Sequence, residues 1–163
     1  CGGYQILGEE ISDPDRMEMG GTMRGKGLLP VTTRLHREKV RSQVHGTINR
    51  MDGIFSVLTG LDFEGYEIHM GSSGEREAVF VTGENKNVYG NYVHGIFDRG
   101  VIASALVNTL AEKKGITLTG TENGNCMDYR DYKEKQYDKL ADILSKYLNM
   151  EEIYGMLREA HIR

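Results

Sequence analysis

The sequence predicts an α/β domain, and three observations carry that prediction. Short apolar or alternating segments crowd residues 28 to 94, long helical patterns fill residues 99 to 157, and Cys1-Gly2-Gly3 forms a glycine turn at the mouth of a short helical run. Strands that run early, followed by helices long enough to cover them, make a sheet with helices packed on it. At 163 residues the chain is one domain, long enough to bury a core.

Each element has its own signal. Tyr4 to Leu7 reads as a short helix stopped by Gly8 as its left-handed C-cap. Residues 12–27 read as a loop, with Asp13-Pro14-Asp15 and paired glycines. Leu28 to Leu35 is strand-like, and Lys39 to Ile48 alternates as a half-buried strand does. Asp52-Gly53 turns the chain before a strand at Phe55 to Leu58. Gly65 to Met70, Ala78 to Val81 and Val88 to His94 are further strands, the last carrying the histidine. Asp98 is a candidate N-cap for a helix from Arg99 to Lys114, with Val101, Ile102, Ala105, Leu106, Thr109 and Leu110 as its apolar stripe and Gly115 as its stop. A polar loop through Asn125 leads to a charged helix from Tyr129 to Leu148, whose face is Tyr137, Leu140, Ile143, Leu144, Tyr147 and Leu148. Asn149 is placed to cap a last helix with Ile153, Tyr154 and Leu157 on its face.

Composition narrows the function classes. The net charge is −4 and no basic stretch alternates with aromatics, so nucleic acid is not an expected partner. No apolar run approaches the roughly 18 residues of a membrane span, and no secretory apolar segment is visible. Two distant cysteines make neither a disulfide framework nor a zinc pattern, so no metal is expected and the chain reads as a reducing, cytoplasmic protein.

Cys1 and His94 are the candidate catalytic pair. An imidazole and a helix N-terminus both favour a thiolate, and a turn through Gly2 and Gly3 frees the Gly2 N–H to face a developing oxyanion. Such a site suits acyl transfer through a thioester. Taken alone, Cys1 also fits a structural thiol and His94 a core histidine. Asp98 either orients His94 or caps the following helix. Glu67 and His69, two apart in a strand, share one face as a substrate patch or a local charge pair. His36 and His45 read as solvent-facing, Cys126 as a bystander, and Lys133-Glu134-Lys135 as a solvated helix face.

Taken together, these segments resemble a known family. Cys1 to Gly8 resembles the nucleophile motif of the triad (class I) glutamine amidotransferases, Cys-x-Gly-x-Gln. Gly27-Leu28-Leu29-Pro30-Val31, Gly65 to Gly71, Tyr92 to Asp98, Tyr129 to Glu134 and Tyr137 to Ala141 are similar to the amidotransferase domain of the cobyric acid synthase family, more than to the related cobyrinic acid a,c-diamide synthases. The resemblance covers essentially the whole chain. It implies a class I glutamine amidotransferase-like (flavodoxin-like) sheet flanked by helices, truncated at the nucleophile turn, with C-terminal helices.

The same resemblance implies hydrolysis of glutamine through a cysteine thioester. The ammonia would serve ATP-dependent amidation of corrin carboxylates in cobalamin biosynthesis, taking adenosylcobyrinic acid a,c-diamide to adenosylcobyric acid. Cys1 corresponds to the nucleophile, His94 to the base and later acid, Gly2 to an oxyanion donor, and Gln5 to a substrate-glutamine contact. Glu67 and His69 match a family motif, which leaves them substrate-binding roles toward glutamine or the corrin, or a contact with the synthetase domain. ATP and magnesium belong to a covalently linked N-terminal synthetase domain, and this domain itself takes no cofactor.

Two departures qualify these expectations. Triad enzymes read His-Pro-Glu at the base, whereas this chain reads His94-Gly95-Ile96, leaving Asp98 as the one nearby acid. With the upstream strand and its oxyanion donor absent, the chain alone is expected to have little glutaminase activity and no ATP-dependent amidation. Two rival readings stand beside this one: an N-terminal-nucleophile amidotransferase using the Cys1 α-amine, and a non-catalytic module that binds glutamine or a partner.

Overall fold

The structure, a computed structural model, describes residues 1–74, 79–118 and 125–160. Residues 1–126 and 127–163 form two compact units.

The first unit is built on a four-stranded sheet of mixed direction, in the order β2-β1-β3-β4. Helix α1 (Gly2–Leu7) leads into β1 (Glu10–Asp13) and β2 (Gly21–Arg24), which pair as an antiparallel hairpin. Residues 12–27 are therefore not the irregular loop that their glycines and proline suggest. The Asp13 carboxylate accepts the backbone N–H groups of Met17, Glu18 and Gly20 at 2.7–2.9 Å, and this side-chain cradle folds the tip so that the flanking residues pair.

Burial alone would raise the Asp13 pKa, but the three N–H donors outweigh it and hold the carboxyl below its ordinary value of 3.8. A carboxyl depressed in the fold contributes stability above its unfolded pKa and loses it as pH falls through the folded one. Thermal unfolding followed from about pH 5 down to about pH 3 is thus expected to show a shallower acid loss in Asp13→Asn than in the wild type. Identical slopes would show that the cradle adds nothing.

Strand β3 (Thr32–Thr47) runs parallel to β1 and antiparallel to β4 (Asp62–Ser73). The two strand segments seen in the sequence are one 16-residue strand, joined by a break in register between Arg34 and Lys39. Gly8 ends α1 in an extended conformation, with φ at −67°, and not in the left-handed one expected of a glycine stop. Glycine is required there by space: a Cβ would meet the Val31 carbonyl oxygen at 2.5 Å.

Between β3 and β4 the chain makes a 3₁₀-helix, Gly53–Leu58, where a strand was expected. Gly53 at φ +70° starts it, and Leu58 closes into the core. That core joins Ile48, Met51, Leu58, Phe63, Phe80 and Ile96 to Ile102 of α2 (Gly100–Lys114). Ala105 and Leu106 pack beside it, while Val101 and Leu110 stay exposed, so the buried stripe is narrower than the apolar pattern. The N-cap position of α2 is Arg99, with no side-chain capping hydrogen bond, which removes Asp98 from that role. Gly115, left-handed at φ 64°, stops the helix as expected.

A smaller cluster of Tyr4, Leu29 and Val31, with Leu7, Val81, Val88 and Tyr92, seats α1. Of the expected strand at 78–81, Ala78 lies outside the described residues, and β5 is only Val81–Thr82, paired with β6 (Tyr89–Gly90). The strand expected over Val88 to His94 stops at Gly90. The Asn91 side-chain oxygen takes the Val93 N–H at 2.7 Å, and the chain rejoins a ladder only at His94.

In the second unit, α3 (Tyr129–Tyr147) buries no residue, and Tyr137, Leu140, Ile143, Leu144 and Tyr147 lie exposed. Helix α4 (Met150–Ala160) begins with a reciprocal cap, Asn149 Oδ1 accepting the Glu152 N–H and Asn149 Nδ2 donating to Glu152 Oε2. Among the described residues, no helix is long and apolar enough to cross a membrane.

Candidate active site

The outer edge of β4 organises the site. Backbone carbonyls of residues two apart point to the same edge of a strand. Those of Tyr66, Ile68 and Met70 point away from β3, and each receives a different part of the site. Tyr66 exchanges both backbone hydrogen bonds with His94, at 2.8 and 3.0 Å. Ile68 accepts the Cys1 thiol at 2.8 Å. Met70 accepts Gln5 Nε2 at 2.9 Å. Cys1, Gln5 and His94, the first and last of them 93 positions apart in the chain, thereby converge on the stretch Tyr66 to Met70 of one strand.

Cys1 is the N-cap of α1, and its Sγ lies 2.9 Å from His94 Nε2. A thiol carries one proton, so it serves either Ile68 O or His94 Nε2. Transfer to the imidazole leaves a thiolate facing an N–H donor, an ion pair that favours the charged sulfur. The His94 ring is held flat against Tyr66, with centroids 5.1 Å apart and planes 10° from parallel. Gly65 permits this approach, since a Cβ there would meet His94 O at 2.3 Å. Gly2 follows the nucleophile, exposed, as the first residue of a helix whose leading N–H groups have no partner within it.

Asp98 is not brought onto His94. Gly95 at φ +79° turns the chain, Asp98 N bonds back to Gly95 O at 2.8 Å, and the Asp98 carboxylate lies over Gly95. Among the described residues no hydrogen bond joins Asp98 to the imidazole.

Glu67 and His69 share the opposite face of β4, as alternation requires. His69 is buried, its Nδ1 bonds Gly71 O at 2.9 Å, and its Nε2 stands 3.5 Å from Glu67 Oε2 without hydrogen-bond geometry. Gln5 is buried, and its amide nitrogen donates to both Met70 O and the Tyr92 hydroxyl. Cys126 stands apart, its backbone N–H on Ser104 Oγ at the side of α2. Among the described residues, no three His, Cys, Asp or Glu side chains group as metal ligands would.

Sequence reading alone did not single out Tyr92. Its ring stacks on His69 with centroids 3.6 Å apart, meets Tyr4 edge-on at 4.8 Å, and its hydroxyl reaches Gln5 and Ser73. Its place two residues before His94 was the available signal. Burial of Tyr4, and then the neighbouring Tyr92, push the Tyr4 phenol up to about 12, so this phenol stays neutral under ordinary conditions.

Comparison with known proteins places this geometry in a family. The chain matches the CobB/CobQ-like glutamine amidotransferase domain over residues 1–101. It is 41% identical over 182 residues to a cobyric acid synthase of Lachnoclostridium phytofermentans, an overlap that takes in 98% of this chain and 35% of that protein. A cobyric acid synthase of Ruminiclostridium cellulolyticum is 42% identical over 176 residues, with 98% and 34% covered. One from Thermoanaerobacter sp. is 36% identical over 177 residues, with 96% and 34% covered. The chain thus spans about a third of the length of these curated relatives. With its α/β architecture and a match over most of its length, this chain belongs to the CobB/CobQ-like glutamine amidotransferase domain family.

Proposed function

We propose that this chain is the glutamine-hydrolysing part of a cobyric acid synthase. It would supply ammonia to a covalently linked synthetase part that amidates the corrin carboxylates of cobyrinic acid a,c-diamide. The observation that carries the reading is the Cys1 Sγ to His94 Nε2 contact of 2.9 Å on the β4 edge, in a chain of this family.

The chemistry follows from the pair. His94 takes the thiol proton, and the thiolate attacks the side-chain amide carbon of glutamine. The Gly2 N–H donates to the oxyanion that forms. His94 returns its proton to the leaving nitrogen, so ammonia departs and a thioester remains. Water, deprotonated by His94, then cleaves the thioester to glutamate and free thiol. The net balance is glutamine plus water giving glutamate plus ammonia.

Gln5 has both amide N–H groups committed to Met70 O and Tyr92, so what it offers glutamine is its amide oxygen. Glu67 and His69 serve the substrate side from the far face of β4. In this reading the base works as part of a Cys-His dyad, because Asp98 lies over Gly95. ATP and magnesium belong to the synthetase part. The residues here do not fit them: the sequence has no Gly-x-x-x-x-Gly-Lys-Ser/Thr loop, and the described residues hold no ligand cluster. A reactive thiol suits the reducing cytoplasm, which is the proposed location.

The test is labelling with a diazo-ketone analogue of glutamine, mapped by mass spectrometry in the protein at the full length of its relatives. Labelling confined to Cys1, blocked by excess glutamine and lost in His94→Ala, is the expected result. Equal labelling of Cys126, or none, would overturn the catalytic reading and leave a binding module.

A further inference from the structure

We infer that Tyr92 is a positioning residue for the Cys1–His94 pair, setting the sulfur-to-imidazole distance through Gln5. The inference rests on the glutaminase reading above.

The nucleophile and the base ride on different segments, and each segment has its own anchor on β4. His94 is held by its bridge and stack with Tyr66. Cys1 sits at the tip of a six-residue helix, too short to hold its own orientation. The thiol bond to Ile68 O does not serve as a lasting anchor, because it is given up when the thiol loses its proton. Beside the backbone bonds that Lys26, Leu28 and Leu29 make to the C-terminal end of α1, what persists on its β4 side is the Gln5 amide and the Tyr4 ring. Both meet Tyr92, the hydroxyl at 3.1 Å from Gln5 Nε2 and the ring edge-on against Tyr4. Tyr92 is therefore the side chain that ties the Cys1 helix to the segment carrying His94.

The hydroxyl is itself fixed from behind. An amide N–H can only donate, so the Tyr92 oxygen accepts from Gln5 and has its own proton for Ser73 Oγ. Ser73 Oγ is in turn bonded to the fully buried Thr33 Oγ1 of β3. Each link has a partner, and a satisfied buried network of this kind holds one geometry. The chain Thr33–Ser73–Tyr92–Gln5 thus runs from the middle of the sheet to the helix that presents the thiol. His69, flat against the other ring face, closes the remaining freedom of Tyr92.

The test is Tyr92→Phe in the full-length protein, which keeps the ring contacts and removes the hydroxyl. Tyr66 against His94, and Tyr4, His69 and Glu67 around Tyr92, are the titratable groups nearby, and all stay in place. The expected result is a fall in kcat for glutamine hydrolysis of about tenfold or more, as small misplacements of reacting groups produce, with KM changed far less. Alkylation of Cys1 by iodoacetamide, followed against pH, is expected to shift its inflection toward the ordinary thiol value of about 8.5. Gln5→Met should shift the alkylation profile in the same way while also raising KM, because it removes the proposed glutamine contact, and in alkylation the double variant should go no further than the worse single one, because both remove one link.

A Tyr92→Phe protein with a lower melting temperature but wild-type kcat and alkylation profile would overturn the inference and leave a structural tyrosine. Should Tyr92→Phe not fold, Ser73→Ala removes the support of the hydroxyl from the other side, and the same two readouts decide. Failure of the wild-type protein to show glutamine-protected labelling of Cys1 would instead overturn the glutaminase reading itself.

Discussion

Cys1→Ala is expected to lower glutamine hydrolysis by at least about 10,000-fold, because the thioester cannot form and, among the described residues, no other thiol is hydrogen-bonded to His94. His94→Ala alone should cost about 100- to 10,000-fold, the usual worth of a general acid-base group. Combining the two should cost little beyond Cys1→Ala, since the residues act as one unit and the second loss removes nothing still in use. Glutamate release by the full-length protein is the measurement. The thiol makes one backbone hydrogen bond, so thermal stability should move little. Activity within tenfold of wild type in Cys1→Ala would point to another thiol, and Cys126 at the side of α2 is the candidate.

Gly65→Ala is expected to be highly damaging although it removes no reactive group. The new methyl would lie 2.3 Å from His94 O and 2.6 Å from Val93 Cγ1. The first of these is a backbone atom that accepts the Tyr66 N–H, so relief requires the His94 segment to leave the β4 edge. Overpacking of this kind costs about 1–3 kcal/mol of stability. The displaced imidazole should cost about 100-fold in glutamine hydrolysis, the scale of an ångström of misplacement. The two effects are separable: the first is read as a lower unfolding midpoint, the second as slower labelling of Cys1 at a temperature where the variant is folded. Full labelling with a lowered midpoint would show that the bridge stabilises the domain without placing the base.

Periodic elements were legible because their signals are local. Helices α2, α3 and α4 fall where the 3.6-residue patterns place them, and Gly115 ends α2 in the left-handed form. The second half of β3 falls where the alternation of Lys39 to Ile48 places a strand. Three elements were misread, each because a residue outside the hydrophobic pattern intervened. Asp13 converts an apparent loop into a hairpin, Asn91 interrupts an apparent strand, and Gly53 starts a 3₁₀-helix in an apolar run. Asp98 looked like a cap because it is a capping residue type next to a helix, but the turn at Gly95 sends its carboxylate elsewhere.

Residue chemistry and motif order were sufficient to mark Cys1, Gly2, Gln5, Glu67, His69 and His94 as candidates, and to point to the family that the comparison then established. Those signals lie in residue type and near-neighbour spacing, which a chain displays before it folds. That the thiol and imidazole meet at 2.9 Å, that the β4 edge gathers them, and that Tyr92 links their two segments are properties of the folded chain alone. Each depends on backbone groups or on side chains dozens of residues apart. A carbonyl has no residue type to read, and the partners of Tyr92 at positions 4, 5, 69 and 73 follow no period. Strand register brought those groups together, and register is set by how a whole sheet packs.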